Sequence, residues 1–153
     1  MEEILENEDM KNEVIKALEN ENNESISKLN KTEIEKTKNS IFTNLDIDLE
    51  KKQKFLDSLK EYRFIDDMND FKEGGFIRWI NLKNLETAEE IKLVKGAVIS
   101  EIKYIKDDVH IVCKLVFGRR VKFIQILASS CLIFQKLTEQ ELIILSVLDY
   151  LKK

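Results

Sequence analysis

The chain has no proline, four glycines, two cysteines and a single histidine in 153 residues. Each scarcity removes a class of chemistry. Cys113 and Cys131 stand far apart without CxxC spacing, and with His110 they fall short of the roughly four ligands that a structural zinc site takes. His110 has no serine or carboxylate at a spacing that builds a triad. Cys113 lies three positions further along the same β-forming run, so the two side chains point to opposite faces of a strand. A Cys–His nucleophilic pair needs hydrogen-bond reach, which that geometry denies. Gly74-Gly75 lacks both the glycine pattern and the Lys-Ser/Thr of a phosphate loop. The acid pairs Asp66-Asp67 and Asp107-Asp108 lack the spacing of a calcium loop and suit turns. We therefore expect no catalytic residue, no cofactor, no metal and no small-molecule substrate.

Long apolar runs are also missing. None exceeds the four residues of 142–145, against the roughly 18 residues that a membrane span requires. Residues 1–9 are acidic where a signal peptide has a basic start. The expectation is a cytoplasmic, non-membrane protein with free thiols.

What the chain has is charge, unevenly placed. Residues 1–50 carry 14 acids against six bases, a net of −8, whereas 76–153 carry 13 bases against nine acids, a net of +4. An acidic arm thus precedes a mildly basic body. Ile4, Met10, Val14, Ile15 and Leu18 recur at loose helical spacing, so 2–20 read as a short helix. Residues 20–40 offer only Ile26, Leu29 and Ile34 as apolar points. That stripe buries little, which makes them a linker or frayed helix, and makes residues 1–40 dispensable for folding. Ile41, Phe42, Leu45 and Ile47 form a denser cluster. A helix capped by Asp48 is expected to follow to Tyr62, with Phe55, Leu56, Leu59 and Tyr62 on one face.

From Phe76 the period becomes that of strands. Strands are expected over 76–82, 94–105 (with a bend or bulge at Gly96), 109–117, 120–127 and 131–135. Gly118-Arg119 suits a two-residue type II′ turn, which sets Val116 against Val121, Cys113 against Ile124 and Ile111 against Ile126. Thr138 and Glu141 form a capping box, and Leu137 and Leu142 a hydrophobic staple, for a C-terminal helix.

The hairpin shows Ile111, Cys113, Leu115, Ile124 and Ile126 on one face and Val112, Val116, Val121 and Phe123 on the other. A sheet apolar on both faces is covered on both, either within the chain or by a second subunit. The candidate interface is therefore Val112, Val116, Val121, Phe123, Ile124 and Ile126. Lys103, Lys114, Arg119, Arg120 and Lys122 come from adjacent strands and turns. Beside aromatics such as Trp79 and Tyr104 they make a candidate nucleic-acid patch, although acidic Glu101, Asp107 and Asp108 share the region.

The phrases EYRFIDDMNDFKEGGFIRWINL and CLIFQKLTEQE, in a stretch of about residues 62–150, resemble uncharacterised small proteins of giant nucleocytoplasmic DNA viruses. That resemblance implies a viral-factory or virion setting in the host cytoplasm and brings no activity or site residue with it. The strand order, with its long second strand, also resembles SH3-like small barrels, a fold that hosts many binding functions.

The sequence thus predicts an α+β protein. It has an acidic helical arm (1–40), a connecting helix and loop (41–75), and a small β domain with a C-terminal helix (76–153). The five-stranded antiparallel sheet is either open or closed as an SH3-like barrel. The expected function is a non-enzymatic interaction or structural module, self-associating as a homo-oligomer or bound to other proteins. The alternative is a nucleic-acid-binding small β-barrel protein.

Overall fold

The computed structural model describes Asn12, Glu13, Ile15, Lys16 and Glu19, which are helical, and residues 29–151 apart from Asn84. The rest of the expected 2–20 helix, and residues 20–28, lie outside the described residues.

The first long helix, α1 (Lys31–Asn44), runs through much of the stretch expected to be a linker or frayed helix. The side chain of Asn30 caps it, accepting from the Glu33 amide at 2.8 Å. Its buried stripe is Ile34, Lys38 and Phe42, spaced at i, i+4, i+8. The middle position is a lysine, so an apolar count sees no stripe there. After a short break, α2 (Leu49–Ser58) starts at Asp48, whose carboxylate accepts from the Lys51 amide at 2.7 Å. It ends earlier than the apolar spacing predicts. The chain turns after Leu59, and Tyr62 begins a strand instead, β1 (Tyr62–Phe64).

Five further strands follow: β2 (Phe76–Asn81), β3 (Ala97–Ile105), β4 (Asp108–Phe117), β5 (Arg120–Leu127) and β6 (Cys131–Lys136). The sheet therefore has six antiparallel strands rather than five, in the order β1-β6-β2-β3-β4-β5. The helix α3 (Glu139–Leu151) closes the described chain, and the protein is α+β.

Two turns follow directly from their residues. Lys106 and Asp107 both adopt positive φ (48° and 69°), as a type I′ two-residue turn between β3 and β4 requires. Gly118 has φ 60° in the Gly118-Arg119 loop, and the β4–β5 register is the expected one, with Val116 opposite Val121. Gly96 marks no bulge. It precedes β3 at φ 111°, where a Cβ would meet the Phe76 ring and the Ile77 carbonyl at 2.7 Å, so its role is close approach. The irregularity in β3 falls between Ile99 and Glu101.

The sheet is coiled but not closed. β5 and β6 are joined only by the 3-10 turn Ala128–Ser130, yet three strands separate them in the sheet. A flat sheet would hold them about 19 Å apart laterally, and the register would add more along the strands. The connection spans about 14 Å at most, so the sheet must curl. The inside of the curl packs Ile77, Trp79, Ala97, Ile99, Ile111, Cys113, Ile126 and Ile133 into one core. β1 and β5 remain as edges, so no barrel forms.

Among the described residues, the outer face is covered over β1, β6 and β2. There Phe42 stacks on Phe134 (5.6 Å between centroids), with Leu59, Ile80 and Ile91 around them. Gln135 ties the 66–75 loop to β6: its Oε1 accepts from the Lys72 amide and its Nε2 donates to the Asp70 carbonyl.

By contacts, the described residues fall into two compact units. Lys38–Lys136 make the sheet unit, and the chain up to Thr37 groups with Leu137 onward. The second unit has its own cluster of Ile34, Leu137, Ile144 and Leu145. In it the capping box forms as expected. The Thr138 amide donates to Glu141 Oε1 at 2.9 Å, and the Glu141 amide donates to Thr138 Oγ1 at 3.1 Å. Along α3, Ile144, Leu145 and Val147 are buried, whereas Leu151 is exposed.

Candidate interaction surface

The β4–β5 hairpin is longer than the sheet beneath it. β3 pairs with β4 only as far as Val98 opposite Lys114, so residues 115–122 overhang. Among the described residues, nothing packs over the outer-face and tip side chains there. Val116, Phe117, Val121 and Phe123 are 61%, 61%, 50% and 57% exposed. Direct strand pairing puts Val98, Lys114 and Phe123 in one row of the outer face, and Val116 and Val121 in the next. Apolar exposure gathered on one hairpin, rather than scattered singly, is the mark of an interaction site.

The six expected interface residues divide between the two faces. Val116, Val121 and Phe123 are outward and exposed, and Val112 is outward and half-buried. Ile126 is buried in the inner core, and Ile124 packs against it half-buried. The register itself requires this, because these two oppose Ile111 and Cys113. The sequence reading missed Phe117 and Val98. Nothing in the strand period separates an overhanging residue from a covered one.

Beneath the overhang lies a half-open apolar groove of about 590 Å³, lined by Phe76, Trp79, Val94, Leu115, Phe117 and Ile124. Lys95 and Lys114 are also in its lining, and among the described residues no acid is.

The five basic candidates do not form one patch. Lys103 and Lys114 pair with His110 and Phe123 on the outer face. Arg120 and Lys122 pair with Phe117 and Leu115 and so project to the other side, and Arg119 is in the turn. Four of the five share a hairpin without acids: residues 109–127 carry Lys114, Arg119, Arg120 and Lys122 and no Asp or Glu. Tyr104 is exposed at the far end of β3, whereas Trp79 is buried in the inner core.

His110 and Cys113 lie on opposite faces, as strand geometry requires. His110 Nδ1 accepts from the Gln125 side-chain amide at 2.9 Å. Cys113 is fully buried, and burial, with the nearby Cys131 thiol adding to it, pushes its pKa up to about 11. Burial also raises Cys131, and both thiols are free. Among the described residues no three His, Cys, Asp or Glu gather where they could hold a metal ion, and no helix is long and apolar enough to cross a membrane.

Compared with protein-family models, curated proteins and solved structures, the chain matches none.

Proposed function

We propose that the protein is a non-enzymatic interaction or structural module that self-associates through the outer face of the β3–β5 half of its sheet. The observation that carries this reading is the β4–β5 hairpin, whose outward Val116, Val121 and Phe123 are each at least half exposed. Interfaces draw their central energy from apolar and aromatic groups that lose their water on contact. The resemblance to giant-virus proteins adds a setting, a virion or cytoplasmic viral factory, in which a small self-associating chain has an obvious use.

Light scattering on the full chain tests the reading. The wild type is expected above monomer mass. Val121→Lys with Phe123→Lys is expected to return it to monomer while the thermal transition holds, because both side chains are exposed and the inner core is untouched. A wild type that stays monomeric at high concentration would sink the proposal.

A second reading, nucleic-acid binding, is favoured by the acid-free hairpin with its four cations. The division of those cations between two sides of the sheet weighs against a continuous phosphate track.

A further inference from the structure

Self-association on this surface leaves open how two copies meet, and the strand register supplies an answer that rests on that reading. In a two-residue hairpin the pair flanking the loop exchanges both backbone hydrogen bonds, and bonded and non-bonded pairs alternate from there. The flanking pair is Phe117 and Arg120. Arg120, Lys122, Ile124 and Ile126 therefore bond inward to β4, and the backbone groups of Val121, Phe123, Gln125 and Leu127 point outward from the sheet. Among the described residues β5 pairs with no other strand. The same four residues carry their side chains on the open outer face.

The usual devices that blunt an edge are sparse here. β5 has eight residues, no proline and no acid, and its two charges, Arg120 and Lys122, both lie near the tip and on the other side. The opposite edge of the sheet, β1, is only three residues long.

We infer that a second copy adds to the sheet antiparallel along β5, about a two-fold axis at Ile124. That register sets Val121 against the partner's Leu127 and Phe123 against the partner's Gln125. Every outward N–H and C=O of the four residues on each copy then finds a partner. Charge favours a second copy arranged in this sense. The hairpin tip is basic (Arg119, Arg120, Lys122), and Asp107 and Asp108 stand at the opposite end of β4. An antiparallel meeting brings each tip alongside the other copy's acid pair, whereas a parallel one would set tip against tip. With one long edge and one short one, the contact is isologous and closes at two copies.

The test uses proline at the outward amides, where it removes an edge donor without breaking the β4–β5 ladder. Gln125→Pro and Val121→Pro are expected to weaken dimerisation at least tenfold with little change in the thermal transition. Gln125→Ala, which loses the bond to His110 but keeps the backbone donor, is expected to remain dimeric. Folded proline variants that dimerise like wild type would overturn the edge pairing while leaving self-association to another surface. A wild type larger than a dimer would overturn the closed two-fold. A wild type that is monomeric would overturn both this inference and the function on which it rests. Hydrogen exchange on the wild type keeps the question decidable if both proline variants unfold. The amides of Val121, Phe123, Gln125 and Leu127 are expected to slow as concentration rises, and fast exchange at concentrations where the dimer dominates would overturn the pairing.

Discussion

The ammonium of Lys38, on α1, donates to the backbone carbonyl of Leu59 at 2.8 Å, and both residues are completely buried. Leu59 is the C-cap of α2, where carbonyls run out of partners within the helix. A lysine reaching in from another helix satisfies one of them and suits the negative end of the helix dipole. Its aliphatic stem lies in the same stripe of α1 as Phe42. Residues 1–40, expected to be dispensable for folding, thus include a side chain that bonds within the sheet unit.

Lys38→Met is accordingly expected to destabilise the fold. Methionine keeps most of the apolar stem but leaves the Leu59 carbonyl buried without this donor, which costs about 1–3 kcal/mol. Chemical denaturation would show it as a lower midpoint at unchanged slope. An unchanged midpoint would mean that water replaces the ammonium, and that deletion through residue 40 is tolerated after all.

At α3 the bonding matches the sequence expectation. Thr138→Ala removes the acceptor for the Glu141 amide and is expected to cost about 1 kcal/mol. Glu141→Ala, which instead strips the partner of the Thr138 amide, is expected to cost a similar amount or more, since Glu141 is 1% exposed. The two losses measured together should fall short of their sum, because each residue serves the other.

The contrast between these two sites shows what was legible in the sequence. The capping box, Asp48 as N-cap, the Gly118-Arg119 hairpin and its register are all local: a few adjacent residues carry their own hydrogen-bonding logic. The misreadings are non-local. α1 was hidden because Lys38 stands where the apolar stripe needs a hydrophobe, and only the distant Leu59 carbonyl makes a lysine acceptable there. β1 was hidden because three residues hold too little period to signal a strand, and its partner β6 lies some 70 positions away. The two faces of the hairpin were legible from the strand period, with Ile124 and Ile126 on one and Val121 and Phe123 on the other; which of the two faces the sheet curls around was not, because that depends on the distant strands packed inside the curl. The overhang that exposes Phe117 depends on where β3 begins, and that depends on the close approach at Gly96.

The two thiols give a pH dependence with a definite sign. Burial holds Cys113 protonated up to about pH 11, against 9.0 for a free thiol, and Cys131 is raised as well. Below pH 9 both states carry the proton and the thiols contribute no pH dependence. Above it the unfolded chain ionises first, so the stability they lend is lost as pH rises from about 9 towards 11. A disulfide-exchange reagent at neutral pH is expected to find Cys113 unreactive in the native protein, and to titrate two thiols once urea unfolds it. Rapid native labelling of Cys113 would show that the inner core opens far more readily than its packing suggests.

The last prediction separates the two functional readings. Phosphate contacts release counterions, so a nucleic-acid complex on the hairpin would weaken steeply with salt. Arg119→Ala with Arg120→Ala would flatten that dependence by about two contacts' worth. The same pair of substitutions is expected to leave self-association within a few fold of wild type, since both arginines are at the tip and the edge residues that would pair lie beyond them. We expect no salt-sensitive binding near physiological ionic strength. Lys103 and Lys114 project to one side and Arg120 and Lys122 to the other, so a single backbone can engage only part of the set. Fluorescence anisotropy on single- and double-stranded probes, read across a salt series, decides the matter. Micromolar or tighter binding that disappears in the double arginine variant would give the hairpin to nucleic acid, and would leave the exposed Val121 and Phe123 as stacking or packing partners for bases rather than for a second copy.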